Sequence, residues 1–206
     1  MELVFSPNSM VAATISSASE SGTPLYTLTT SLSGDRSTIE DVRTGGPRVV
    51  GKITRKVLLA DKVAFAVEGA ENSKLREMKL EKWMQDVVEE VDGRSIRVGC
   101  TIHVEEGITF VLRAHDEYQL ALYAEGDNTS PLAHWKPPVP PASAKTTSIT
   151  LVLDARVEKY QMQVIIAFLL EERRRRAGEY EGLVGGARQP GNVRSAMFGT
   201  AGWAGS

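Results

Sequence analysis

The chain has 206 residues, of which 42% are hydrophobic and 24% charged, with a formal net charge of -2 and a pI of about 6.0. This composition is typical of a globular protein with one sizeable core, and the lack of a positive excess argues against a dedicated nucleic-acid binder. A single cysteine, Cys100, excludes an internal disulfide and favours a reducing, intracellular and cytoplasmic location.

Most of the chain has the pattern of short strands, because β-favouring residues occur in runs of strand length between turn residues. The first ten residues, MELVFSPNSM, contain the first such run and lack the basic and long apolar regions of a secretory signal. The predicted strands are Glu2–Ser6, Pro24–Leu32, Arg36–Arg43, Arg48–Arg55, Lys62–Val67, Arg94–Glu106, Ile108–His115, Tyr118–Gly126, Pro131–Pro137 and Ser148–Asp154. In the sixth of these strands, Gly99-Cys100 is compatible with a β-bulge.

The segment from Leu75 to Val91 fits two structures. Its apolar positions follow a helical stripe, but Met78 and Leu80, with Lys79 between them, also fit a short alternating strand. The period of the pattern does not decide between helix and strand here.

Two segments have the composition of loops. Residues 136–147, KPPVPPASAKTT, contain prolines that cannot donate to a strand ladder, so a loop between strands is expected, with a PxxP-like protein ligand as the alternative. Residues 177–206 are rich in glycine and lack an apolar period, which predicts a disordered tail.

The stretch QVIIAFLLEERRRR, residues 163–176, is the most polarised part of the chain. Its apolar run, Val164–Leu170, is too short to span a membrane, which takes about 20 residues. Seven apolar residues in a row cover every side of a helix, so a surface amphipathic helix is also disfavoured. A helix that is apolar all round belongs in a core, and Arg173–Arg176 then suit the negative end of its dipole.

The order of elements is therefore many strands followed by one apolar helix near residues 154–176, begun by Asp154 as a helix cap. A closed or nearly closed barrel around a central helix would cover the helix and remove exposed sheet edges. The simpler alternative is a helix packed on one sheet. Residues 1–176 are expected to form a single mainly β domain.

Several short segments carry a resemblance to a known family: LVFSPNS, PLYTLTT with STIEDV, REMKLEKWM, GITFVLR with LALY, and VIIAFLLEERRR. Together they resemble a family of uncharacterised fungal proteins, common in mushrooms, assigned to the tubby C-terminal-like fold. The resemblance spans about residues 2–176. It implies a closed barrel of about twelve strands around a hydrophobic C-terminal helix, shared with tubby proteins, LURP-one-related plant proteins and phospholipid scramblases. It also implies that REMKL is a strand followed by a short helical turn. No lipid-binding or calcium-binding motif of those proteins can be placed on this sequence.

Motifs of catalysis and cofactor binding are missing from the sequence. It contains no G-x-S-x-G, P-loop, dinucleotide-binding or H-E-x-x-H pattern, so no catalytic, cofactor-binding or metal-binding residue is assigned and a non-enzymatic role is expected. Cys100 and His103 are close in sequence, but a separation of three places them on opposite faces of a strand.

Two basic clusters remain as candidate sites: Lys52, Arg55 and Lys56, and Arg173–Arg176. Such clusters attract anionic lipid head groups, although Glu171 and Glu172 reduce the attraction of the second. The leading hypothesis is a binding or scaffold domain that contacts anionic phospholipid peripherally, without a transmembrane span. A protein-interaction module acting through the Pro-rich loop or the tail is the alternative, and an unrecognised enzyme or small-ligand carrier with a polar pocket is the third.

Overall fold

The computed structural model describes residues 1–19, 22–43, 46–56, 59–66, 75–136 and 148–176. The helical segments in these residues are α1 (Leu80–Trp83), a 3-10 helix (Ala155–Tyr160) and α2 (Gln161–Arg176). The strands are β1 (Glu2–Ser6), β2 (Ala13–Ser17), β3 (Pro24–Thr30), β4 (Arg36–Asp41), β5 (Arg48–Thr54), β6 (Lys62–Ala66), β7 (Leu75–Lys79), β8 (Met84–Val91), β9 (Arg94–Glu105), β10 (Ile108–His115), β11 (Gln119–Ala124), β12 (Ala133–Lys136) and β13 (Ile149–Leu153).

All of these strands belong to one antiparallel sheet, in the order β7-β6-β5-β4-β3-β2-β1-β13-β12-β11-β10-β9-β8. Neighbours in the chain pair with each other from β1 to β7 and from β8 to β13. The pairing of β1 with β13, in which Leu3 lies opposite Leu151, joins the two halves. The prediction of a mainly β domain with one helix at its C-terminal end is confirmed, with thirteen strands in place of about twelve.

The sheet is not closed into the predicted barrel, since no ladder in the described residues joins β7 to β8. These edge strands are consecutive in the chain and are connected by the single turn of α1. Leu80 and Trp83 of α1 are buried, and the Trp83 ring lies 6.0 Å from that of Phe65 on β6. A helical turn therefore stands between the two edges, and a helix cannot continue a strand ladder.

The ambiguous segment from Leu75 to Val91 contains both kinds of structure: strand β7, the turn α1 and strand β8. The strand and helical turn implied by the resemblance are confirmed for REMKLEKW. Strand β8 was not predicted because its apolar positions, Met84, Val87, Val88 and Val91, share the spacing of a helical stripe. Strand β2 was also missed, since ATISS holds a single large apolar residue, Ile15.

Helix α2 is buried along its whole apolar run, in which no residue from Val164 to Leu170 exceeds 2% exposure. Gly51 on β5 approaches it so closely that an added Cβ would lie 3.3 Å from Ile166. The Phe168 ring stacks edge-on against Trp135 of β12 at 5.2 Å. Because β5 and β12 belong to different halves of the sheet, the sheet curves around the helix. The predicted core position of the apolar run is confirmed.

No helix in the described part of the chain is long and apolar enough to cross a membrane. Asp154 caps a helical segment, as predicted, but this segment is the 3-10 helix that precedes α2: the Asp154 side chain accepts a hydrogen bond from the Arg156 backbone N–H at 2.9 Å. The residues 137–147 of the Pro-rich loop and the tail 177–206 lie outside the described residues, so the predictions on them stay predictions.

Candidate functional site

The C-terminal end of α2 lies among several connections between strands, and we call this end of the molecule the arginine end. Arg176 contacts Asn8 in the β1–β2 connection, and Arg173 contacts Met10 in the same connection. The β3–β4 turn (31–35), the β5–β6 connection (55–56 and 59–61) and the β8–β9 hairpin tip (88–95) lie at the same end. They meet there because a meandering antiparallel sheet returns every second connection to one side.

Three of the four helix arginines have carboxylate partners. Arg175 Nη2 and Arg176 Nε each lie 2.7 Å from Glu172 Oε1. Arg174 Nη1 lies 3.1 Å from Asp86 Oδ1 on β8 and 3.5 Å from Glu171. The two glutamates are fully buried, so the charge of the cluster is largely neutralised within the protein. The expectation that Glu171 and Glu172 reduce its attraction for anions agrees with this geometry.

Arg97 on β9 completes the network: its Nη2 donates a hydrogen bond to Glu171 Oε2 at 2.9 Å, and its Nε forms an ion pair with Asp86 Oδ1 at 2.8 Å. Burial opposes the charged form of Arg97, but Glu171 and Asp86 together raise its pKa above the ordinary value. The same burial raises the pKa of the neighbouring Cys100 thiol well above its usual range. These ion pairs tie the end of α2 to β8 and β9, which gives them a structural role.

Arg173 differs from the other three arginines. Its guanidinium donates to the carbonyl oxygen of Met10, to Ser37 Oγ at 3.0 Å and to Thr30 Oγ1 at 3.2 Å. No carboxylate in the described residues forms an ion pair with it. Burial, with a contribution from the nearby positive charge of Arg55, lowers the pKa of Arg173 to about 10. The side chain points into the wall of the sheet, so it is poorly placed to contact a surface outside.

The other predicted cluster belongs to a larger basic surface on the outside of strands β4 to β7. The strand register aligns Arg36, Thr54, Lys62 and Lys79 in one row across the sheet. This row faces outward, because its neighbours Ile53 and Val63 are buried inside and side chains alternate along a strand. We call the surface the basic face; its members are Arg36, Lys52, Arg55, Lys56, Lys62 and Lys79.

The basic face keeps a positive excess after its ion pairs are counted. Lys62 pairs with Glu77 at 2.6 Å and Lys79 pairs with Glu81 at 3.3 Å, and both pairs are exposed. The remaining four cations form no ion pair within the described residues. The pKa of Glu77 is lowered mainly by the hydrogen bond from Lys62, and the positive charges of Lys62, Lys52 and Lys56 lower it further.

The structure thus brings the two predicted clusters to one end of the molecule, where Arg55 and Arg173 are neighbours, but it gives them different surroundings. Arg36, Lys62 and Lys79 were missed by sequence reasoning. The signal in the sequence was that these charged residues alternate with apolar residues on strands β4, β6 and β7. The three residues can be assigned to one surface only when the strand register is known.

The residues considered for metal binding and catalysis are not assembled into a site. Cys100 is buried on the inner face of β9, whereas His103 is partly exposed on the outer face, as predicted. His103 contacts Thr109 through Nδ1 at 3.1 Å. The described residues contain no group of three or more His, Cys, Asp or Glu side chains arranged to hold a metal ion.

A pocket of about 340 Å³ lies beside the gap between the two sheet edges. Leu80 and Met84 provide its apolar wall, and Asp61, Asp86 and Arg174 contribute charged groups. Asp86 and Arg174 pair with each other, and Asp61 Oδ1 accepts the backbone N–H of Lys56 at 2.9 Å. Glu81 also lines the pocket and pairs with Lys79 at 3.3 Å, so the charged groups of this pocket already have partners in the protein.

Comparison with known proteins identifies one family. A family model described as a family of unknown function, DUF6593, matches residues 8–177, which covers most of the chain and all of α2. No curated protein matches the chain, and no solved structure does. From the extent of this match, the chain belongs to the DUF6593 family of unknown function.

Proposed function

We propose that this protein is a non-enzymatic binding domain that contacts anionic phospholipid head groups from the cytoplasmic side of a membrane without crossing it. The observation that carries the proposal is the basic face, where Arg36, Lys52, Arg55 and Lys56 form no ion pair within the described residues and leave a positive excess. Cations near an anionic surface contribute roughly 1 kcal/mol each to membrane binding.

In this proposal Lys52, Arg55 and Lys56 make the main contact with lipid, with Arg36 beside them. Of the arginines considered from the sequence, Arg173 points inward and Arg174–Arg176 pair with Asp86, Glu171 and Glu172. Those four arginines contribute to the positive potential of the arginine end, and their direct contact with lipid is secondary.

The proposed relationship to tubby C-terminal-like domains also favours lipid binding. An antiparallel sheet curved around a buried C-terminal helix is the arrangement expected of a tubby C-terminal-like domain, here with an open edge beside α1. Kinship with tubby proteins, LURP-one-related proteins and phospholipid scramblases is part of the proposal.

Vesicle co-sedimentation tests the proposal. The wild-type chain should pellet with vesicles of phosphatidylserine and phosphatidylcholine, pellet less with phosphatidylcholine alone, and be released by added salt. The triple substitution Lys52→Gln, Arg55→Gln and Lys56→Gln should weaken binding by about 3 kcal/mol, or roughly a hundredfold. The proposal is wrong if the wild type stays in the supernatant at low salt.

A matched control removes the same charge elsewhere. Arg48, Lys136 and Lys159 are exposed and lie away from the basic face, on β5 near Asp41, on β12 and on the 3-10 helix. Their combined replacement by Gln changes the net charge equally. If this control weakens binding as much as the first triple variant does, the contact depends on overall charge and the basic face is not the site.

A further inference from the structure

Exposed apolar side chains are concentrated at the arginine end. Among the described residues, six large hydrophobic side chains are exposed: Met1, Val11, Leu32, Leu59, Val88 and Val91. Met1 lies at the opposite end, where its amino group contacts Leu153 and Glu158. Of the other five, three lie on connections between strands and two lie on β8 near its hairpin with β9, all at the arginine end. Single exposed hydrophobics scattered over a surface are ordinary, but such concentration at one end marks an interaction surface.

Three of these residues lie at turns next to the basic face. Leu32 is fully exposed at 110% on the β3–β4 turn, Leu59 is 66% exposed before β6, and Val11 is 51% exposed in the β1–β2 connection. We call them the apolar tips. The hydrogen bonds of Arg173 hold the β1–β2 connection and the β3–β4 turn together. Arg173 binds Met10, next to Val11, and it also binds Thr30 and Ser37, which flank the turn that carries Leu32.

The charges beside the apolar tips are mainly positive. Arg36, Arg55, Lys56 and Lys62 lie within a few residues of Leu32 or Leu59, against the two carboxylates of Asp35 and Asp61. Asp35 is engaged by the hydroxyls of Ser31 and Ser33, each 2.6 Å from Oδ1, and these bonds lower its pKa. Apolar tips next to cations complement the acyl boundary and the head groups of an anionic bilayer.

Val88 and Val91 have the opposite surroundings. They lie on the β8–β9 hairpin with Glu89, Glu90 and Asp92, which an anionic surface repels. The hairpin is therefore not part of the contact with the bilayer, and it provides an internal control at the same end of the molecule.

We infer that Val11, Leu32 and Leu59 insert into the interfacial region of an anionic phospholipid bilayer, with the arginine end facing the membrane. This inference rests on the proposed function and adds the orientation of the domain and the residues that enter the lipid. The basic face supplies attraction, and the apolar tips supply buried apolar area at the head-group boundary.

Fluorescent labelling tests the insertion directly. Leu32→Cys places a reactive thiol on the exposed turn, while the native Cys100 is buried with a raised pKa and stays unlabelled. A nitrobenzoxadiazole label at position 32 should shift to the blue with phosphatidylserine vesicles and be quenched by lipids carrying a spin label in the acyl chain. A label at Thr23→Cys, on the β2–β3 connection at the opposite end, should show neither effect.

Charge substitution on the turns gives a second test. Leu32→Asp and Leu59→Asp should each weaken vesicle binding by about tenfold, the lower end of what burial of one leucine is worth. Val88→Asp should leave the affinity unchanged. Leu32 and Leu59 lie outside the strands and are exposed, so the melting temperatures of their variants should equal that of the wild type. Val88 lies on β8, where Asp is less favourable than Val, so its variant should melt slightly lower while still binding vesicles with the wild-type affinity.

The outcomes separate this inference from the proposed function. If the protein pellets with anionic vesicles but the label at position 32 does not shift, insertion is wrong and lipid binding through the basic face stands. Equal losses from Leu32→Asp and Val88→Asp would also overturn insertion at the apolar tips. If the wild type does not pellet at all, both proposals fail and the arginine end is better explained as a protein-binding surface.

Discussion

Arg173 Nε donates a hydrogen bond to the backbone carbonyl oxygen of Met10 at 2.7 Å, across 163 positions of the chain. The same guanidinium also binds hydroxyls on β3 and β4. The last turn of α2 is thereby attached to the first connection of the sheet and to the β3–β4 turn. Arg173, which has the pattern of a surface charge in the sequence, therefore links the helix to the sheet that surrounds it.

The central position of α2 can be tested at Ile166. Ile166→Asp should unfold the domain, because it places an unpaired carboxylate in a fully buried site. Ile166→Val removes one methylene at the same site and should cost only about 1 kcal/mol. Circular dichroism melts measure both. A folded Ile166→Asp variant with an unchanged melting temperature would contradict the buried position of the helix.

The ion pairs of Glu172 can be tested by removing its two arginines. Arg175→Gln with Arg176→Gln leaves a fully buried carboxylate without its two cations and should lower the free energy of unfolding. We expect about 2–3 kcal/mol, below the usual ~3–5 for a broken buried pair because both arginines are about one third exposed. Adding Glu172→Gln removes the isolated charge and should restore part of the loss in urea unfolding. No recovery in the triple variant would show that the arginines stabilise the fold by some other means.

Gly51 and Gly99 each lie close to other atoms of the protein, but Gly99 faces backbone atoms and Gly51 faces side chains. A Cβ on Gly99, next to the register shift between β8 and β9, would overlap the carbonyl oxygen of Leu112 and lie 3.1 Å from the Arg113 Cα. Because those atoms belong to the backbone, Gly99→Ala should cost roughly 2–4 kcal/mol. A Cβ on Gly51 would meet the Met162 sulfur at 2.8 Å, and a methionine side chain can move away. Gly51→Ala should therefore cost less than Gly99→Ala in denaturant unfolding, and the reverse order would contradict this account.

The pH dependence of stability can be tested at His134. Its ring packs against Tyr118 with the ring centres 4.2 Å apart, and burial lowers the pKa of His134 below 6.5. Below pH 6.5 the unfolded chain binds a proton that the folded protein binds less readily, so stability is lost as the pH falls through the lowered pKa. His134→Gln should make the fall in unfolding free energy from pH 7.5 to 5.5 less steep. An equally steep fall in the variant would assign the effect to other groups.

Much of the fold could be predicted because its signals are local. Runs of β-favouring residues between turn residues located ten strands, and all of their predicted ends lie within two residues of the observed ends. The register shift beside Gly99 was also visible as an interruption in β9. In contrast, Met84–Val91 has the apolar spacing of a helical stripe, and only its pairing with β9 makes it a strand.

The sequence by itself determined the mainly β class and the buried helix, because seven consecutive apolar residues cannot be satisfied on a surface. The tertiary structure alone decided the candidate site. Strand register, which is set by contacts between distant segments, aligned Arg36, Lys62 and Lys79 on the outer face of the sheet. The buried glutamates of α2 neutralised Arg174–Arg176, and the sheet order gathered Val11, Leu32 and Leu59 at one end. Distances between residues far apart in sequence carry no local signal, so these features could be known only from the folded chain.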